Sequence, residues 1–307
     1  MKLCLLLIIL GLSSNAFSEY KKASEIEQFV ILGDTGKENE DQRVIANSMT
    51  MVCGAIEQCD AALLLGDNVY GEGMTWGEDP FMDRVFRNFY ENLDFPFYAV
   101  LGNHDYGKFG RQWEKGAFEI EYSKTNPQFI LPSHFYVKEF KHMVVAFIDT
   151  SRLMWGKDIK NQGQMVNAAR ELALKSNKWF VVAGHHPYLS NGQHGNAGNY
   201  DRIPFPYFIS GRFVKRFFDK YINGKADLYF SGHDHTIQFL DGKQRDTSTY
   251  FILSGAGASV EKLSNRNPVD YQSAELGYLH LKTSLKKLEI KVYSKKSEVS
   301  FTKAFER

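Results

Sequence analysis

Phe29-Val-Ile-Leu-Gly-Asp34 is a short apolar run that stops at a glycine and hands the chain to a carboxylate. The same design recurs in Ala61-Ala-Leu-Leu-Leu-Gly-Asp67, Phe97-Tyr-Ala-Val-Leu-Gly-Asn103, Phe180-Val-Val-Ala-Gly-His185 and Asp227-Leu-Tyr-Phe-Ser-Gly-His233. Apolar runs of this length bounded by glycine read as strands buried on both faces. The glycine lets the backbone turn sharply and leaves a ligand room close to the main chain. Between the first two runs, Val44, Ile45, Ser48, Met51 and Val52 fall on one side of a helical stretch. Between the second and third, Phe81, Val85, Phe86, Phe89 and Leu93 recur at three- and four-residue steps. Strands alternating with helices predict βαβ units and a largely parallel core. In such sheets ligands gather beyond the carboxyl ends of the strands, so five sets of polar side chains are expected on one rim.

Working outward, Met143 to Ile148 reads as a further buried strand, and Ile159 to Asn177 and Phe208 to Ile222 as helices. Tyr250 to Leu253, Leu276 to Leu281, Lys287 to Tyr293 and Glu298 to Phe301 read as strands, several with alternating polarity. No linker, low-complexity tract or fixed-period repeat divides the chain, so residues 19–307 are read as one domain. Residues 1–18 stand apart. Lys2 precedes the apolar run Leu3 to Leu12, and Ala16-Phe17-Ser18 offers a small-x-small cleavage pattern, which together predict a secretory signal. The run is too short to span about 30 Å of bilayer as a helix. The protein is therefore expected to be secreted or periplasmic, without a membrane attachment after cleavage. Loss of Cys4 leaves Cys53 and Cys59, an even pair that reads as a disulfide in an oxidising compartment; two buried thiols are the alternative.

The 307 residues include 24 Phe, 16 Tyr and 4 Trp, too many aromatics for a chain that stays unfolded. Lys and Arg number 37 against 36 Asp and Glu, so bulk charge offers no footprint for nucleic acid or an anionic membrane surface. A small-molecule partner and a monomer are expected.

Gly33-Asp34-Thr-Gly36, Gly66-Asp67-Asn-Val-Tyr70, Gly102-Asn103-His104-Asp105, Gly184-His185-His-Pro187 and Gly232-His233-Asp-His235 occur in this order. Together they resemble the binuclear metallophosphoesterases of the calcineurin-like superfamily. Tyr70 narrows the likeness to the purple acid phosphatases, and length and spacing are most similar to their tartrate-resistant type. The resemblance implies an α/β fold in which two mixed β-sheets pack as a sandwich flanked by helices, with a two-metal site at the strand ends. Matched motif by motif, Asp34, Asp67, Tyr70 and His235 would hold one ion, and Asp67, Asn103, His185 and His233 the other. The first set, with a phenolate, suits Fe(III); the second suits a divalent ion, Fe, Zn or Mn. The implied reaction is hydrolysis of phosphate monoesters at acid pH by a metal-bound hydroxide. His104 is the first candidate proton donor to the leaving oxygen and His194 the second. Asn103 and His186 are candidate substrate contacts; His186 stands where small enzymes of this type usually carry Tyr, and could instead place a third imidazole near the second ion. Gly195 is followed by Asn196 rather than the usual Pro. The segment from Gly192 to Gly211 is expected to form part of the substrate rim. Two further readings stand beside this one: a phosphodiesterase or nucleotide pyrophosphatase with a Mn or Zn pair, and a non-catalytic metal- or phosphate-binding protein. His134, His142 and His280 match no motif and are read as structural or surface residues.

Overall fold

The computed structural model of the protein describes residues 25–307, apart from residues 109, 204, 206–208 and 246. The expected leader over residues 1–18 lies outside the described residues. Among the described residues fourteen strands form two seven-stranded sheets. The first runs in the order β14-β13-β12-β1-β2-β3-β4 and the second β11-β9-β10-β8-β7-β6-β5. In the first sheet β1 (Glu27–Leu32), β2 (Ala61–Leu64), β3 (Phe97–Ala99) and β4 (Phe129–Ile130) are mutually parallel. The antiparallel meander β12 (Gly277–Thr283), β13 (Lys287–Ser294) and β14 (Val299–Glu306) is added at β1. In the second sheet β6 (Met143–Phe147), β7 (Trp179–Ala183), β8 (Leu228–Ser231) and β10 (Tyr250–Ser254) are parallel. β5 (Tyr136–Glu139), β9 (Ile237–Asp241) and β11 (Tyr271–Ser273) run antiparallel to their neighbours.

The period of two along β1 explains why its run is apolar throughout. Phe29 and Ile31 point between the sheets, against Val181, Phe230 and Leu279. Val30 and Leu32 point outward, under the helices. Helix α1 (Glu40–Met51) and α2 (Trp113–Thr125) cover the first sheet, together with a helical segment in which Pro80–Met82 and Asn88–Tyr90 flank a π-type turn, Asp83–Arg87. The second sheet is covered through Leu153 of α3 (Thr150–Met154), Val166 of α4 (Ile159–Ser176) and Phe217 of α5 (Arg212–Tyr221). The result is four layers, helix, sheet, sheet, helix.

Local signals explain most boundaries. Asn39 caps α1 by accepting from the Gln42 amide at 2.9 Å, and Glu40 and Asp41 lie in the first turn, where the helix dipole favours acid. Met49, not Met51, faces the core; Met51 is exposed, because the buried stripe is Ile45, Ser48, Met49 and Val52. The helix expected from Phe208 begins at Arg212, after Gly211 in the left-handed region (φ 72°); Phe208 itself lies outside the described residues. Cys53 and Cys59 form a disulfide that closes the turn between α1 and β2.

Candidate metal centre

Each glycine-terminated strand delivers its polar residue to the same end of the sandwich. Asp34, Asp67 and His233 all adopt positive φ, at 60°, 53° and 72°. This left-handed region costs most non-glycine residues free energy and is a recurrent mark of functional sites. His233 therefore does not lie on an extended segment with His235, as their spacing suggested. β8 ends at Ser231, and a sharp turn carries both imidazoles inward while Asp234 between them is buried.

Two donor sets result. In one, Tyr70 Oη lies 3.0 Å from His235 Nε2 and 3.4 Å from Asp34 Oδ1, and His235 Nε2 lies 3.5 Å from Asp34 Oδ1. In the other, His185 Nε2 is 3.0 Å from Asn103 Oδ1, 3.2 Å from His233 Nδ1 and 3.4 Å from Asp67 Oδ1. Ligands bonded at about 2.1 Å to one ion in adjacent positions lie about 3 Å apart, so both sets have the spacing of a coordination shell. Asp34, Asp67 and His185 bring ligand atoms within 4.8 Å of one another, which places Asp67 between the sets.

The hydrogen bonds behind the ligands fix which atoms face inward. The Leu65 carbonyl accepts from His185 Nδ1–H at 2.9 Å, so the Nε2 of neutral His185 presents a lone pair to two oxygens and a second imidazole. Lone pairs converging on one point repel unless a cation lies among them; this donor chemistry fits a metal ion. His235 is held in the same way, with Nδ1 2.8 Å from Ser259 Oγ, which also accepts from Lys37 Nζ. Neither Leu65 nor Ser259 belongs to the five motifs, although Gly255-Ala-Gly-Ala-Ser259 after β10 is a sixth glycine-rich strand end. Burial raises the Asp34 carboxyl, but His235, His185 and the His233 amide outweigh it and lower its pKa. For Tyr70, burial and the charges of Asp34, Asp67 and Asp105 all push the phenol well above its usual value. Deprotonation at this position therefore requires a strongly charged cation.

The remaining expected residues surround this centre. The His104 amide donates to Asp67 Oδ1 at 2.9 Å, and its ring packs 4.5 Å from that of Tyr70. The His194 ring lies 4.2 Å from that of His233, and its Nδ1 is 2.7 Å from Asp201 Oδ1. Burial disfavours its cation, but Asp201, Asp234 and Glu261 outweigh that and push its pKa up to about 9. His186 is buried with its ring 4.5 Å from that of His233 and its Nδ1 2.8 Å from Thr150 Oγ1. Asn103, His186, His194 and His233 line one cleft of ≈ 310 Å³ with Lys108 and Trp155; His104 packs on Tyr70 outside that wall. Tyr200, Asp201 and Ile209 of the 192–211 segment also line it. His134 joins the Tyr106 hydroxyl at 2.9 Å, His280 Nε2 bonds the Gln58 carbonyl at 3.0 Å, and His142 is buried, all apart from the centre.

A family model described as calcineurin-like phosphoesterase matches residues 27–236. The chain belongs to the calcineurin-like phosphoesterase family. Two curated relatives of this phosphoesterase are purple acid phosphatase 17 of Arabidopsis thaliana, 28% identical over 82% of this chain and 74% of its own, and tartrate-resistant acid phosphatase type 5 of Homo sapiens, 26% identical over 75% and 72%. Among solved structures, GAP50, the anchor in the inner membrane complex of Plasmodium, superposes with a TM-score of 0.70 at 20% identity, covering 92% of this chain and 89% of its own. That likeness establishes the shared fold. The phosphoesterase family match and the two donor sets together make this cluster a candidate metal-binding site with room for two ions.

Proposed function

We propose that the protein is an extracytoplasmic acid phosphatase that hydrolyses phosphate monoesters at an Fe(III)–M(II) pair. The observation that carries the reading is Tyr70 Oη, within 3.4 Å of both His235 Nε2 and Asp34 Oδ1: a phenol belongs to one donor set. A phenolate with two carboxylates suits a hard trivalent ion, and two imidazoles with an amide oxygen suit a divalent one. Bound there, the two ions would polarise the phosphoryl oxygens and lower the pKa of water.

The protein's own groups supply the rest. Thr150 Oγ1 accepts from the amides of His185 and His186, leaving its hydroxyl hydrogen for His186 Nδ1. The His186 proton then sits on Nε2, as a donor for a phosphoryl oxygen in the cleft. His194, held by Asp201 and cationic at neutral pH, lines the same cleft and is placed to protonate the leaving oxygen. His104 is the alternative donor, reaching the centre from the Tyr70 side. The Cys53–Cys59 disulfide is in keeping with export to an oxidising compartment. Among the described residues no helix is long and apolar enough to cross a membrane.

Elemental analysis with a visible spectrum and p-nitrophenyl phosphate turnover tests the reading. One iron with a second metal, a broad absorption in the mid-visible from the phenolate, and phosphate release at acid pH are expected. Colourless protein carrying two Mn or Zn that cleaves only diesters would overturn it.

A further inference from the structure

On the other side of His194 from the candidate metal centre lies a second groove, of ≈ 650 Å³, and its character is different. His194 lines both cavities. The remaining walls of the second carry three cations, Arg202, Lys215 and Arg266, and no carboxylate. Asp219 pairs with Lys215 at 2.6 Å; among the described residues no carboxylate bonds either guanidinium. Three acids gather at the shared wall: Asp201 Oδ1 lies 2.7 Å from His194 Nδ1, Asp234 Oδ1 accepts the His194 amide at 2.9 Å, and Glu261 lies beside them. Arg202 and Arg266 are therefore the cations of the groove wall without an acidic partner among the described residues, in a molecule whose net charge is only +1.

The groove is built rather than incidental. Arg266 Nη1 donates to the carbonyls of Ser190 and Gly192, at 2.7 and 3.2 Å, which holds the guanidinium against the loop that carries His194. Gly195 and Gly198 are in the left-handed region, at φ 82° and 91°. A Cβ at Gly195 would lie 3.1 Å from the Arg266 guanidinium carbon, and one at Gly198 would lie 3.0 Å from Lys215 Cδ. Asn196, where a proline is usual in the resembled enzymes, accepts from the Ser190 amide at 2.8 Å. Its side chain also exchanges hydrogen bonds of 2.9 and 3.0 Å with Asn267, the neighbour of Arg266. Proline could make none of these contacts. The Asn196–Asn267 pair thus ties the cationic segment to the rim of the cleft.

We propose that this groove is a subsite for a second anionic group on the substrate, so that the preferred esters are those whose leaving group itself carries a phosphoryl group. A guanidinium is suited to a phosphate dianion by its planar fork of donors, and Lys215 adds a point charge. The second phosphate would lie on the far side of the His194 imidazole from the group being hydrolysed. This inference rests on the phosphatase reading above.

The test compares fructose 1,6-bisphosphate with fructose 1-phosphate, with p-nitrophenyl phosphate turnover reporting the phosphatase reading independently. The wild-type protein is expected to favour the bisphosphate in kcat/KM by about tenfold or more. In Arg202→Gln/Lys215→Gln that ratio falls towards one, chiefly through KM, while Arg202→Lys/Lys215→Arg retains most of it. Equal kcat/KM for the two sugars in the wild type, or a preference that survives the double Gln variant, overturns the subsite. Absence of turnover on p-nitrophenyl phosphate would instead overturn the phosphatase reading, and the subsite with it.

Discussion

Asp67 is the residue on which both halves of the centre depend. One carboxylate oxygen stands 3.4 Å from His185 Nε2 and accepts the His104 amide. Asp67→Ala is expected to lose both ions, measured by elemental analysis after gel filtration. His194→Ala should keep them and lose about 10²-fold in kcat on an ester with a poor leaving group. Full activity there would transfer the donor role to His104. Far from the centre, Glu57 bonds Lys282 at 2.6 Å and Lys291 at 2.5 Å. Burial alone would raise its carboxyl, but the two lysines outweigh it and lower the pKa to about 2. Because the folded pKa lies below the unfolded one, this stabilisation is present above about pH 4.5 and is lost as pH falls towards 2. Glu57→Gln should therefore cost about 1–2 kcal/mol near neutrality and little at pH 2, read from denaturant midpoints.

At the scale of elements, the strand ends were legible because burial on both faces leaves an unbroken apolar run, and a glycine marks where it stops. β1, β2, β3, β7 and β8 follow from that rule, and the candidate ligands with them; β6 and β10 follow from their apolar runs alone. β4 and β11, two and three residues long, carry too little pattern to be found. α2 was missed because its buried face includes Lys115, Gly116 and Glu119, which do not read as a core stripe. Glu119 belongs to a carboxyl network with Asp105, whose own pKa rises to about 7 through burial and the charge of Asp67. The residues behind the ligands escaped for a related reason: a backbone carbonyl such as that of Leu65 has no sequence signature. The Cys53–Cys59 disulfide was readable from the short spacing of an even cysteine pair and the expectation of export. Its loop is short, so replacing both cysteines by serine should lower stability by about 2 kcal/mol, measured by chemical denaturation.

At the scale of the molecule, the family match ends at residue 236, but neither sheet is complete there. β12 pairs with β1 from Glu27 to Ile31, with Phe29 opposite Leu281 and Ile31 opposite Leu279. β10, β9 and β11 finish the second sheet. A fragment ending at residue 236 would leave β1 as an open edge and expose Phe29 and Ile31. It is expected to give no cooperative thermal transition, whereas the chain through residue 307 gives one. The contacts of highest sequence separation thus hold the strand that delivers Asp34.

The carboxylates of Asp34 and Asp67 sit in slots walled by main chain. A Cβ at Gly102 would fall 2.2 Å from Asp67 Oδ1, and Cβ atoms at Gly232 and Gly255 would fall 2.4 and 2.8 Å from Asp34 Oδ2. Side chains confined in this way have few rotamers to explore when the ions are stripped. Chelated protein should thus reload at the speed of diffusion and dehydration, without a slow rearrangement, and a single methyl group at any of the three glycines would jam the receptacle shut.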